Sequence, residues 1–485
     1  MSAKAIKYAK DFVSFVNASP TPYHVVDTVK KELVASGFKE LSEKKIWAGQ
    51  MKKGGKYFVT RNGSSIIAFT VGGAWTPGNG ISIIGAHTDS PTLRIKPIST
   101  SNKEGFQQIG VETYGGGIWH TWFDRDLSVA GRVFIYDEAS GKFISKLVNI
   151  NKPILRIPTL AIHLTKERYV KFEFNKETQF KPIAGLTDST ASGCCDSEPL
   201  SESEFNSIQN IVSRHNKELL SLISAELSVE TSQIQDFELV LYDNQKSTLG
   251  GLNDEFIFSP RLDNQVSCFC ATHGLVNSVD DLASQTGIQL ISLFDHEEIG
   301  SLSAQGADSS FLPDILSRIT RLTGNETSSS ELQSESYFLQ SMAKSFLISS
   351  DMAHGVHPNY SEVYDSLNKP SINKGPVLKV NSNQRYVTNS VGIVLLKKLG
   401  EIAKVPLQLF VVRNDSPCGS TIGPMLSAKL GIKTLDLGNP QLSMHSIRET
   451  GGTYDVEKLV TLFETYFEHY SDLESRILVD AVDAE

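Results

Sequence analysis

Five short segments of this chain join an apolar run to side chains that bind cations or move protons. They are His87-Thr88-Asp89, Arg261-Leu262-Asp263-Asn264, Asp295-His296-Glu297-Glu298, Asp351-Met352-Ala353-His354 and Ser443-Met444-His445. Imidazole and carboxylate are good zinc ligands, and a catalytic zinc keeps one position for water. Two metals roughly 3.5–4 Å apart need a shared carboxylate and terminal ligands on either side. His87, Asp263, Glu298, Asp351 and His445 supply two imidazoles and three carboxylates for that task. Glu297, beside Glu298, offers a further carboxylate for proton transfer. Singly, each piece has a bland explanation. His-x-Asp arises by chance, a Glu-Glu pair is commonly a solvated face, and Asp263 can be a helix N-cap. Their joint placement at the ends of predicted strands points to one cleft, because open α/β sheets gather ligands at the carboxyl ends of their strands.

The elements that must position these residues are legible from periodicity. Apolar residues at helical spacing predict a helix over residues 5–17, on Ile6, Ala9, Phe12, Val13 and Val16, and a second from Pro22 to about residue 37. Residues 57–60 and 66–71 read as strands joined at Asn62-Gly63. Residues 81–89 form a buried apolar strand that ends in ligand-type side chains. Further strands are expected at 288–294, 346–349, 407–412 and 434–437, and helices at 265–279, 390–403 and 456–477. From about residue 93 to 245 the texture is β-like, with short Val-, Ile-, Phe- and Tyr-rich runs broken by turns such as Gly115-Gly116-Gly117. Residues 186–203 and 323–336 read as polar loops. The expectation is an α/β fold with a central mixed sheet flanked by helices. It would be built from residues 1–92 and 249–485 and interrupted by a β-rich insertion at 93–248.

At 485 residues the chain is long enough for two cores. A net charge of −9 argues against nucleic acid or an anionic membrane as a partner. No apolar run reaches the roughly 20 residues that span a bilayer, and the N-terminus lacks the apolar core of a secretory signal. Cys194, Cys195, Cys268, Cys270 and Cys418 fit neither a disulfide framework nor a Cys-x-x-Cys zinc site. Reduced thiols and a cytoplasmic address follow, and the sequon at Asn325 then carries no weight.

The chain resembles the aspartyl aminopeptidase and vacuolar aminopeptidase I family of metallopeptidases. The resemblance rests on Gly85-Ala86-His87-Thr88-Asp89-Ser90-Pro91, Arg261-Leu262-Asp263-Asn264, residues 294–301, Ser350-Asp351, Gly419-Ser420-Thr421-Ile422-Gly423-Pro424 and residues 442–448. It runs from Phe12 to the C-terminal helix, with the aspartyl branch as its nearer side. It implies a zinc exopeptidase fold with two Zn2+ per subunit, although Mn2+ and Co2+ share these ligand types. Asp263 would bridge the ions, His87 and Asp351 would complete one site, and Glu298 and His445 the other. Glu297 would be the general base, and Asp89 would orient His87. His163, in Leu160-Ala161-Ile162-His163-Leu164, reads as a core residue from its apolar neighbours. The resemblance instead sends it into a neighbouring subunit's site to steady the reacting carbonyl oxygen.

The resemblance also implies that Asp or Glu is removed from peptide N-termini. Residues 374–386 offer three cations, Lys374, Lys379 and Arg385, and the resemblance favours Lys379. Tyr386, His354, Glu297, Asp351 and His163 would also touch substrate. The Asp415–Pro424 loop lacks the lysine of a phosphate-binding loop, so it reads as presenting amides near the peptide. The Asp124-Arg125-Asp126 cluster reads as structural pairing. The family's tetrahedral dodecamer, and for some members carriage to the vacuole, are further implications. Two other readings compete: a neutral aminopeptidase of broader range, and a non-catalytic assembly or cargo protein with structural zinc.

Overall fold

The computed structural model describes residues 2–165, 171–187, 211–322 and 331–479. The chain divides into two compact units: Met1–Ser90, Ser247–Met444 and Arg448–Glu485 form one, and Pro91–Lys246 with His445–Ile447 the other.

The first unit is α/β. Its nine-stranded sheet runs Lys39–Glu40, Lys56–Arg61, Ser65–Val71, Ile288–Phe294, Ile81–His87, Phe346–Ser350, Lys433–Gly438, Val377–Val380, Gln408–Val411. The Lys56–Arg61 and Ser65–Val71 strands close at Asn62 and Gly63, whose φ values of 55° and 69° suit a primed hairpin turn. The four strands from Ile288–Phe294 to Lys433–Gly438 lie side by side and parallel. Their carboxyl ends therefore share one edge of the sheet.

These strands read as unbroken apolar runs because both faces are covered. Alternate residues go to opposite sides. Ile84 and Ala86 join a core with Phe12, Phe269, Leu396 and Phe463, and Ile81 and Ile83 join another with Phe311, Ile315 and Leu426. One layer is built on the helices Ala3–Ala18, Pro22–Ala35, Leu262–Asn277, Ser390–Ala403 and Thr453–Glu474. The other is built on Phe311–Leu322 and Ile422–Leu430.

Three features depart from expectation. The Glu331–Ala343 helix covers part of what reads as a polar loop; residues 323–330, with the sequon, lie outside the described residues. The Phe311–Leu322 helix also escapes the sequence reading, because Pro313 near its start and the Ser-rich entry look like a turn although both suit a helix N-terminus. A second sheet in this unit joins Thr248–Gly250, Phe256–Ser259, Glu449–Gly452, Pro440–Leu442 and Ala353–His354. Strands this short show no alternation.

The second unit is a six-stranded antiparallel sheet, in the order Lys142–Asn149, Leu127–Asp137, Ile234–Asp243, Thr92–Lys103, Phe106–Tyr114, Ile183–Leu186. It also holds the helix Lys217–Leu227, whose Leu219, Leu220 and Ile223 enter its core. The β-like texture does not foretell that helix. The Asp124–Asp126 cluster is structural, with Arg125 paired to Asp243 and Asp126 to Arg156. Cys268, Cys270 and Cys418 form no disulfide, and Cys194 and Cys195 lie outside the described residues. Among the described residues no helix is long and apolar enough to cross a membrane.

One close approach fixes the sheet edge where Asp351 emerges. A Cβ at Gly438 would lie 1.9 Å from the Asp351 carbonyl oxygen, and the Asp351 N–H donates to Leu437 O at 2.9 Å. Gly438→Ala must push these strand ends apart, at a cost on the order of 1–3 kcal/mol. The expected result is a lower unfolding midpoint. A variant with an unshifted midpoint would show that the edge yields freely.

Candidate metal centre

The parallel strands deliver the first ligand candidates. His87 is the last residue of the Ile81–His87 strand and pairs with Phe294, so Glu297 and Glu298 emerge beside it in a short 3-10 turn. Asp351 follows directly on the neighbouring Phe346–Ser350 strand. Asp263 comes from elsewhere, at the start of the Leu262–Asn277 helix, where it and Asn264 leave helical geometry.

These side chains converge on one imidazole. His87 Nε2 lies 3.4 Å from Asp263 Oδ1, 3.6 Å from Asp351 Oδ1 and 3.9 Å from Glu297 Oε2. Ligand atoms of His87, Asp263 and Asp351 lie within 4.8 Å of one another, as do those of His87, Glu297 and Glu298. Burial opposes charge on His87, but Glu297, Asp263, Asp351 and Asp89 together hold it well above its ordinary range. Burial, reinforced by Asp351, Asp89 and Asp263, pushes the Glu297 carboxyl up to about 8.

Asp89 does more than face His87. Its Oδ1 is 3.4 Å from His87 Nδ1, and its carbonyl oxygen is 3.1 Å from the same nitrogen. Its two carboxylate oxygens also accept the N–H groups of Glu297 and Glu298, each at 3.1 Å. One buried carboxylate thus orients the imidazole and pins the Glu-Glu turn. Glu449 is a support that sequence reasoning misses. Buried on its strand, it accepts the Asp263 N–H at 3.1 Å. It stands one residue beyond the 442–448 motif, which was its only available signal.

The remaining candidates fall in several places. Lys379 is buried, with Nζ donating to Met352 O at 3.1 Å and lying 3.4 Å from Asp351 Oδ2, whereas Lys374 and Arg385 are exposed. Tyr386 is buried beneath it, with the ammonium 5.0 Å from the ring centre. His354 is exposed and packs edge-on against Phe410, ring centres 5.7 Å apart. His163 lies in the second unit on an exposed turn, Ile162–Leu164, so the core reading from its apolar neighbours is wrong. His445 also belongs to that unit, where Nδ1 lies 3.0 Å from Gly116 O.

A tetrahedral zinc with ligand bonds of about 2.1 Å sets neighbouring ligand atoms about 3.4 Å apart. The separations of 3.4 and 3.6 Å around His87 fit that spacing. A sequence profile described as "Aminopeptidase I zinc metalloprotease (M18)" matches residues 15–467. The chain belongs to this family. It is therefore an aminopeptidase, a zinc-dependent peptide hydrolase. It is 59% identical to "Aspartyl aminopeptidase 4" of Saccharomyces cerevisiae, over 99% of this chain and 98% of the relative. With the aspartyl aminopeptidase of Aspergillus oryzae it shares 56% identity, over 97% and 98% of the two chains. Its fold matches the structure of an Ape4 and Nbr1 complex with a TM-score of 0.91 and 52% identity, covering 99% of this chain and 88% of that one. It also matches the mApe1 dodecamer of S. cerevisiae with a TM-score of 0.83 and 32% identity, covering 97% and 98%.

The double role of Asp89 sets a test within this family. Asp89→Ala frees the His87 ring and the Glu297–Glu298 turn together, so zinc affinity should fall about 10–100-fold. Zinc retention is read by titration against a chelator of known affinity. Retention equal to the parent would mean that the turn holds its shape without Asp89.

Proposed function

We propose that this M18 aminopeptidase removes acidic residues, Asp or Glu, from peptide N-termini at a two-zinc centre. The reading is carried by the convergence of Asp263, Asp351 and Glu297 on His87. Asp263 would be shared by the two ions, with His87 and Asp351 on one and Glu298 and His445 on the other. The path of the chain supports including His445. The Pro440–Leu442 strand pairs with Glu449–Gly452 through Leu442 and Thr450, so residues 443–448 form a loop between them. The base of that loop touches Asp263 itself, through Glu449. With Nδ1 of His445 against Gly116 O, Nε2 is the ligand atom.

Zinc at this centre would acidify a water and polarise the peptide carbonyl. The chain's own residues do the rest. Glu297, whose N–H is held by Asp89, takes the proton from the attacking water and returns it to the leaving amine. His163, presented on its exposed turn, would steady the carbonyl oxygen in a neighbouring subunit. Leu160, Ile162 and Leu164 around it are exposed apolar residues suited to burial between subunits. The dodecameric relative supports the same assembly here. Cytoplasmic work with vacuolar delivery as a second address, as the family resemblance implies, completes the proposal.

Acidic selectivity falls to Lys379. An ammonium has three donors. The Met352 carbonyl takes one and Asp351 attracts another, which leaves a donor for a substrate carboxylate. Tyr386, and His354 at the exposed margin, would border the bound side chain. The names of the similar fungal aspartyl aminopeptidases support this reading over a neutral, broader specificity.

Two substitutions separate the readings. Glu297→Gln should keep its zinc while kcat falls at least about a hundred-fold, the typical share of a general base. Hydrolysis at the parental rate would remove Glu297 from the chemistry. Lys379→Leu should lower kcat/KM for Asp and Glu substrates by about one to two decades, the worth of a charged hydrogen bond, and spare Leu substrates. Initial rates on a panel of N-terminal residues read this directly: an acidic preference that survives the substitution would show that Lys379 is not the pocket cation, and a parent enzyme without acidic preference would support the neutral reading.

A further inference from the structure

The loop around Thr421 and the segment at Tyr386 share an anchor, Asp436. This residue lies within the Lys433–Gly438 strand and is fully buried. Its Oδ1 accepts the Thr421 hydroxyl at 2.6 Å, and its Oδ2 accepts the Val387 N–H at 2.6 Å. The backbone repeats the link. The Asp436 N–H donates to Thr388 Oγ1 at 2.9 Å, and that hydroxyl donates to Asp436 O at 3.2 Å. Val387 directly follows Tyr386, and Thr421 is the N-cap residue of the Ile422–Leu430 helix. One carboxylate therefore ties together two segments that are separate in sequence.

Gly423 of the 419–424 motif is explained by the same group. A Cβ at that position would meet Asp436 Oδ1 at 2.6 Å. The motif glycine leaves the space that the carboxylate fills.

Lys379 belongs to this arrangement. Val377 pairs with Gly438 and Leu378 with Leu437, antiparallel. Lys379 and Asp436 are the next residues along the two paired strands. Burial raises the Asp436 carboxyl, and the Lys379 charge is the foremost influence opposing it. A fully buried carboxylate needs hydrogen bonds and nearby positive charge; Thr421 and Val387 supply the hydrogen bonds, and Lys379 is the charge that acts on it.

We propose that Asp436 is a positioning residue for acidic specificity: it holds Lys379 and the segments bearing Tyr386 and Thr421 in register, so the side-chain pocket is formed before substrate arrives. This rests on the reading that Lys379 receives the acidic side chain.

The test measures kcat and KM on peptides beginning with Asp and with Leu. It uses the full-length zinc enzyme, Asp436→Asn, Lys379→Met and the double variant. Asp436→Asn should raise KM for the Asp peptide about ten-fold, as a displaced charged hydrogen bond does, with a smaller change in kcat. In the Lys379→Met background it should cost no further selectivity. An equal loss on both peptides, a loss confined to kcat, or selectivity losses that add in the double variant would each overturn the proposal. If Lys379→Met loses selectivity while Asp436→Asn keeps it, the proposal alone fails. If Lys379→Met keeps acidic selectivity, the Lys379 reading fails and takes the proposal with it. Should Asp436→Asn yield no folded protein, Thr421→Val and Thr421→Ser read the same contact. A raised KM for the Asp peptide in the first, restored in the second, supports the proposal, and parental values in both overturn it.

Discussion

Around Nε2 of His87 the carboxylates of Asp263, Asp351 and Glu297 stand 3.4, 3.6 and 3.9 Å away, and this crowding of negative charge is the constraint that the first unit must satisfy. Two like charges 4 Å apart repel by about 4 kcal/mol at an effective dielectric of 20. A single imidazolium offsets only part of that. The raised basicity of His87 and of Glu297 expresses the same imbalance, since each group takes up a proton more readily when negative charge surrounds it. Zinc held by these residues would relieve the imbalance, because a divalent ion supplies two charges where protonation supplies one.

A site of this kind tolerates little movement, and its supports are mostly backbone. His87 and Asp351 follow from two neighbouring parallel strands, so their spacing is set by the sheet ladder. The Glu297–Glu298 turn hangs from Asp89 by two N–H groups, and Asp263 is held through its own N–H by Glu449. Each support is a buried carboxylate facing a backbone donor. Such bonds are charge-assisted, and they add further negative charge beneath the ligands. A bound cation would offset that charge.

The parts that sequence could show are those where one physical pattern dominates. The strands over Ile81–His87 and Ile288–Phe294 were legible because an apolar run buried on both faces stops abruptly at ligand-type residues. The helix Ser390–Ala403 was legible from its apolar period, with Asn389 as its cap. The Lys379 assignment needed more. Lys374, Lys379 and Arg385 are equivalent as letters, and only burial distinguishes them. Glu449 and Asp436 were illegible for a related reason. An acidic residue in a short strand looks like a solvated position until its partners, Asp263 N–H and Val387 N–H, come in from distant parts of the chain. The core reading of His163 fails in the opposite direction, because apolar neighbours suggest a core only when the chain around them is regular, and here they lie on an exposed turn.

On the proposed reading the specificity pocket and the metal centre share residues, which would narrow what the enzyme can accept. Lys379 reaches Met352 O and Asp351 Oδ2, so the cation that would read the substrate side chain is fixed to the segment that supplies a metal ligand. Recognition of the substrate side chain would then be tied to the segment that bears Asp351. A substrate carboxylate that contacts Lys379 must place its peptide bond within a narrow range, and this converts binding energy into alignment. The same buried charge would repel a basic N-terminal residue and would cost desolvation against an apolar one, so selection would act by exclusion as well as by attraction.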